Sequence, residues 1–161
     1  MGQGLWFLPG VHPARGRLAT LAQIIRIAIA LTALVFIGAA APDVTGLWLT
    51  QDGAGVVAIA PCDNGGVCGR FVGFRDQPPP KNYMGFSECG LEFIHPAKLG
   101  DDGRWHGQIT DPTQGADYRA DLVVSPDGRL DLRGYLGISL FGQTQVWTRY
   151  AGQVRRDCSL G

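Results

Sequence analysis

The sequence predicts an all-β domain, a small up-and-down antiparallel barrel of about eight strands, preceded by a cleavable signal segment. Three observations carry this expectation. After residue 42 no long window keeps a 3.6-residue apolar period. Short runs rich in β-branched and aromatic residues recur there instead. Turn dipeptides separate those runs: Asp52-Gly53, Asp102-Gly103, Asp111-Pro112 and Asp127-Gly128. A sandwich would use the same strands, but closure into a barrel leaves no exposed edge.

The first element is the N-terminal segment, residues 1–40. Arg26 precedes an uncharged apolar run, and Gly38-Ala39-Ala40 follows it. A positive start, an apolar middle and a small-residue exit form the pattern of a secretory signal, with cleavage expected after Ala40. Ile27 to Ala41 is 15 residues, short of the ~20 that span a hydrocarbon core. An uncleaved segment would be the chain's one tie to a membrane. The lead before the apolar run is long for such a signal, and no adjacent arginine pair marks a twin-arginine type.

The strands follow in order: Val44–Thr50, Val56–Ala60, Gly69–Phe74, Leu91–His95, Trp105–Thr110, Tyr118–Val124, Leu130–Tyr135 and Gln145–Tyr150. Tyr118-Arg119-Ala120-Asp121-Leu122 and Leu130-Asp131-Leu132-Arg133 alternate apolar with charged residues. That period of two marks strands with one wet face. Pro78, Pro79 and Pro80 cannot sit in a paired strand. Residues 75–88 therefore read as a long loop with one helical turn, placed as a lid over one barrel end. Pro96 is expected to end the fourth strand just after His95, leaving His95 at the surface.

Residues 41–161 carry 11 basic and 14 acidic side chains, a net charge of −3. This excludes nucleic acid, whose phosphates need a dense basic face, and a polybasic membrane-surface domain.

Gly46-Leu47-Trp48 heads the first strand, and Trp147-Thr148-Arg149 lies on the last. In a closed meander these strands are neighbours, so Gly46, Trp48, Trp147 and Arg149 are candidates for barrel closure. An arginine there stacks on an indole while donating to nearby carbonyls. The arrangement resembles the calycin superfamily, the lipocalins and their relatives. The resemblance sharpens through Ala60-Pro61-Cys62, Cys68-Gly69-Arg70 and Cys89-Gly90-Leu91. It continues through Trp105, Gly107, Ile109, Asp111-Pro112, Gly115 and Tyr118, and through the block from Leu132 to Arg149 with Gly137-Ile138-Ser139-Leu140-Phe141-Gly142. Together these resemble the DUF2147 family of bacterial exported proteins. The resemblance implies a lipocalin-like barrel and a periplasmic or secreted location, and it carries over no catalytic residue. The N-terminal extension and Cys158 fall outside the shared block.

Cys62, Cys68, Cys89 and Cys158 all follow the signal, and an even count in an exported chain implies disulfides. The turn Asp63-Asn64-Gly65-Gly66 favours Cys62–Cys68, which leaves Cys89–Cys158 by elimination. A zinc site of Cys62, Cys68, Cys89 and His95 or His106 competes. Its C-x5-C spacing, with no second paired motif, does not fit a zinc knuckle. No phosphate loop, dinucleotide fingerprint or Gly-x-Ser-x-Gly elbow is present, so no metal or cofactor is expected. A Cys89–His106 nucleophile pair has nothing to orient it.

Three functions remain. The leading one is a non-enzymatic envelope protein whose barrel holds a small apolar or amphipathic ligand. Trp105, Tyr118, Leu122 and Leu132 are its candidate lining, and Arg133 its polar anchor. For each of them the plain core residue is the favoured reading. The alternative is a solid barrel that meets an envelope protein through the 75–88 loop or the Ile138–Phe141 segment. The third, a hydrolase or isomerase using His106 with Asp or Arg neighbours, lacks a visible base, nucleophile and orienting group.

Overall fold

Period-two alternation and tight glycine turns produce the expected architecture in the computed structural model, which describes residues 43–161. The proposed export segment and its cleavage site lie outside the described residues. Eight antiparallel strands follow one another around a closed barrel. They are β1 (Gly46–Leu49), β2 (Gly55–Cys62), β3 (Gly66–Phe74), β4 (Glu92–Leu99), β5 (Trp105–Thr110), β6 (Asp117–Val124), β7 (Leu130–Tyr135) and β8 (Gln143–Arg149). Each pairs with its sequence neighbour, and β1 closes the ring by pairing with β8. The turn at Asp127-Gly128 behaves as its dipeptide requires. Gly128 takes φ 82° and its N–H donates to the Ser125 carbonyl at 2.8 Å.

β4 departs from expectation. It runs through Pro96 to Leu99 instead of ending at His95. Between Ile94 and Lys98 the register against β5 shifts, and it shifts against β3 as well. A bulge there leaves Pro96 without a ladder bond to supply, which is how a strand tolerates proline. Residues 75–88 form a loop without the expected helical turn. Lys81 bridges to Ser87, and the Tyr83 N–H donates to the Pro112 carbonyl.

Inward side chains build one core. Trp48, Ile59, Ile94, Leu122, Leu130 and Trp147 are fully buried or nearly so. Leu122 pairs across to Trp105, and Leu130 to Trp147. These pairs fill the end that carries the β4–β5 and β6–β7 turns. A second apolar patch lies outside the barrel, where Val154 and Leu160 of the C-terminal tail close on Gly73 beside Val56. The Phe74 N–H donates to the Cys158 carbonyl, holding the tail against β3.

Both expected disulfides form, Cys62–Cys68 and Cys89–Cys158, with Cα atoms 5.7 and 5.8 Å apart. The second spans 69 residues, a separation worth roughly 4 kcal/mol in the chain-entropy account. It ties the long loop to the tail.

Closure is a side-chain device. The Arg149 guanidinium lies 3.8 Å from the Trp48 ring centroid and donates to the Asp43 and Thr45 carbonyls. Trp48 Nε1 donates to the Val44 carbonyl at 2.8 Å. Gly46 takes φ 115°, and a Cβ there would meet Arg149 Nη1 at 2.8 Å. Gly46→Ala is therefore expected to cost on the order of 1–3 kcal/mol, and Arg149→Met about 1–2 kcal/mol. Urea unfolding measures both, and unchanged midpoints would show that closure does not depend on this cluster.

Candidate functional site

The end opposite the packed core is hollow. A cavity of about 830 Å³ opens there. The β1–β2 turn, the β5–β6 loop and the β7–β8 loop border it. Its wall comes from inward positions: Ile109 on β5, Tyr118 on β6, Leu132 and Gly134 on β7, and Trp147 on β8. Phe71 and Phe93 stack at 4.3 Å with planes 13° apart, and Phe93 lies 6.3 Å from Trp147. Gly134 contributes space, since a Cβ there would stand 3.1 Å from the Ile109 side chain.

The rim is polar. Thr50, Gln51, Gln114, Gln143, Thr144 and Gln145 face it, with Asp111. Gln145 accepts from Trp147 Nε1 at 2.9 Å, and Gln51 accepts from the Val146 N–H at 2.8 Å. Asp111 is committed to its own turn: it accepts from the Thr113 N–H and hydroxyl, both at 2.7 Å, and from Gln114. Glu88, buried in the neighbouring loop, has its pKa raised, first by burial and then by the Asp111 charge.

Of the residues singled out by sequence, Tyr118 and Leu132 line this cavity. Trp105 and Leu122 pair with one another in the packed core. Arg133 points outward. Its Nε donates to the Ser139 carbonyl at 2.8 Å, Nη1 to the Thr144 hydroxyl at 2.8 Å and Nη2 to the Leu140 carbonyl at 3.2 Å. It pins the β7–β8 loop rather than anchoring anything inside. No residue of 75–88 lines the cavity, so that loop is no lid over it. Phe71, Phe93, Ile109 and the glutamine rim are lining that sequence reasoning missed. Their signal was present in strand alternation, but the bulges around β4 hide which positions face in.

A second cluster occupies the outer wall, where His95, His106, Arg119 and Tyr135 border a groove. His106 Nδ1 lies 2.7 Å from Asp121 Oδ1, and Nε2 lies 3.0 Å from Asp102. The Tyr135 hydroxyl donates to the same Asp121 oxygen at 3.2 Å. Both ring nitrogens donate to carboxylates only when the ring is cationic. His106 accordingly has a raised pKa, chiefly from Asp121 and then Asp102. Burial, followed by Asp121, raises the Tyr135 phenol. His95 Nε2 sits 2.7 Å from the Thr110 hydroxyl, which itself donates to Asp117 at 2.6 Å.

This cluster clamps β5, β6, β7 and the β4–β5 turn together. Among the described residues no Ser or Thr hydroxyl bonds the His106 ring, and all four cysteines are in disulfides. The Cys89–His106 pair and a cysteine-ligated zinc therefore have no thiol to use. Among the described residues no group of three His, Cys, Asp or Glu side chains is arranged to hold a metal ion.

Comparison with known proteins agrees with this geometry. The model of a family described as an uncharacterized protein conserved in bacteria, DUF2147, matches residues 46–149. A solved Helicobacter pylori protein, described as belonging to the lipocalin family, has the same fold. It aligns with a TM-score of 0.58 and 18% identity, covering 68% of this chain and 84% of that one. No match is found among curated proteins.

The clamp has a pH signature. An imidazole that holds its proton better in the fold than in the unfolded chain stabilises fully below ~6.5. That contribution is lost as pH rises through the raised folded value. Asp121→Asn is expected to bring the His106 midpoint down toward the ordinary value, as read by imidazole NMR. An unmoved midpoint would contradict the clamp.

Proposed function

The chain belongs to the bacterial family DUF2147, and we propose that it is an exported protein, periplasmic or secreted, that binds a small apolar or amphipathic molecule inside its barrel. The observation that carries the reading is the cavity. Its volume of about 830 Å³ lies within the roughly 300–1,000 Å³ common to small-molecule sites. It pairs an aromatic wall with a mouth where side-chain amides stand beside Pro112, Leu136 and Phe141, a mix of apolar and hydrogen-bonding groups that suits an amphipathic ligand. Two disulfides suit an oxidising compartment, and the apolar run after Arg26 supplies the export signal. The role needs no chemistry on the bound molecule. His106 has both ring nitrogens engaged by carboxylates and borders the outer groove, not the cavity.

Native mass spectrometry of the protein recovered from the bacterial envelope tests this reading. The expected result is a polypeptide beginning at Ala41 with a noncovalent small-molecule adduct. Gly134→Phe and Leu132→Trp, which fill or reshape the cavity, are expected to remove the adduct while the circular dichroism stays that of the barrel. A bare polypeptide mass in every preparation would count against a ligand.

A second reading rests on a different observation. Leu136, Ile138, Leu140 and Phe141 are 67%, 58%, 77% and 77% exposed around the β7–β8 loop, a run of bare apolar surface of the kind that marks interaction sites. If the barrel serves as an interaction module, Ile138→Asp with Phe141→Asp abolishes co-purification of an envelope partner and leaves folding intact. Retention of every partner by that double variant would remove the segment as a contact.

A further inference from the structure

We propose that the cavity selects uncharged ligands with a hydrogen-bonding head and a flat ring body, and that it rejects anionic amphiphiles of the same shape. This rests on the ligand-binding reading above and specifies its chemistry.

The head-group argument comes from charge. Among the described residues no lysine or arginine lines the cavity, and Asp111 is the one Asp or Glu side chain that does. Arg133 sits between the lining residues Leu132 and Gly134, yet it faces outward and spends its donors on Ser139, Leu140 and Thr144. Arg119, next to the lining residue Tyr118, borders the outer groove instead. An entering carboxylate or sulfonate would lose water, meet no countercharge and face a like charge. A cationic head finds little better, because both Asp111 oxygens already accept bonds within the β5–β6 turn. The Thr50 hydroxyl is spent on Asp52 and Gly55, and that of Thr144 accepts from Arg133. The groups left to recognise a head are amides: Gln143, Nε2 of Gln51 and Gln145, and Oε1 of Gln114. Amides both donate and accept, which matches a neutral carbonyl, hydroxyl or amide.

The body argument comes from shape. Phe71 and Phe93 stack on one another, and Trp147 lies tilted beside Phe93, so this wall is rigid and aromatic. A rigid aromatic wall favours another ring over a flexible chain, which would lose more rotamer freedom on ordering.

Two probes with the same ring skeleton separate the claims. N-phenyl-1-naphthylamine is neutral, and 8-anilino-1-naphthalenesulfonate adds one sulfonate. Fluorescence titration of the protein produced from the full-length gene is expected to show one saturable site for the neutral probe. Binding of the sulfonate should be at least tenfold weaker. Gln143→Arg, which places a cation at the rim, is expected to bring the two within about threefold. Equal or tighter binding of the sulfonate by the wild type would overturn the charge selectivity and leave ligand binding standing. Failure of both probes to saturate, with Gly134→Phe indistinguishable from wild type, would instead overturn the ligand-binding reading.

Discussion

The Arg149–Trp48 stack decides whether this chain is a barrel or an open sheet. β1 is only four residues long, and its ladder to β8 consists of the Trp48–Arg149 and Leu49–Thr148 pairs. So short a ladder adds few hydrogen bonds, and each is worth about 1 kcal/mol net. The seam is held mainly by side chains. The guanidinium covers the indole and reaches the Asp43 and Thr45 carbonyls, so the segment before β1 is fixed by the last strand. Gly46 is part of the same device, because only a residue without Cβ takes its φ of 115° and leaves room for the guanidinium. Without closure, β1 and β8 would each present an unpaired edge.

Closing the ring at one end frees the other. Trp105, Leu122, Leu130 and Trp48 fill the end near the closure, so packing there carries the stability. The opposite end is built from Gly134, stacked phenylalanines and glutamines, which border space instead of filling it. A hollow end is costly in lost dispersion contacts. The Cys89–Cys158 bond and the tail packed on Gly73 brace the β3 side of that end from outside, while Arg133 braces the β7–β8 loop. Rigidity at the mouth therefore comes from outer-surface groups, and the interior is left available.

How much of this was legible follows from what alternation encodes. Period two in Tyr118–Leu122 and Leu130–Arg133 gives the face of each residue, so the strands and their turns could be read directly. Applied strictly, it also puts Arg133 outside once Leu132 is inside, and a polar anchor at Arg133 contradicts that rule. Alternation says nothing of height along the barrel. Trp105 and Ile109 share an inward face on β5, yet one plugs the closed end and the other lines the cavity. Height depends on which turn each strand end meets. The partnership of Phe71 with Phe93 depends on register across the bulges near Pro96, where one extra residue changes the facing of everything after it. The outer clamp was equally hidden. His106 and Asp121 are 15 residues apart and become neighbours only through the β5–β6 register.

The placement of charge links stability to cavity chemistry. Arg149 serves the seam, Arg133 the β7–β8 loop, Arg70 an outer-face pair with Glu92 and Arg129 a turn pair with Asp127. The buried carboxylate of Asp121 has a countercharge in His106 on the outer wall. Each of these cations stabilises a backbone carbonyl or a carboxylate outside the barrel, where water and short ladders leave groups to satisfy. Turning one inward would strip a loop or seam of its donor and also place a fixed charge among Phe71, Phe93 and Trp147, with a desolvation cost and no partner there. The same constraint that keeps the arginines outside keeps the interior neutral. That no arginine or lysine stands among the described lining of the cavity is in that sense a consequence of how the barrel is held shut.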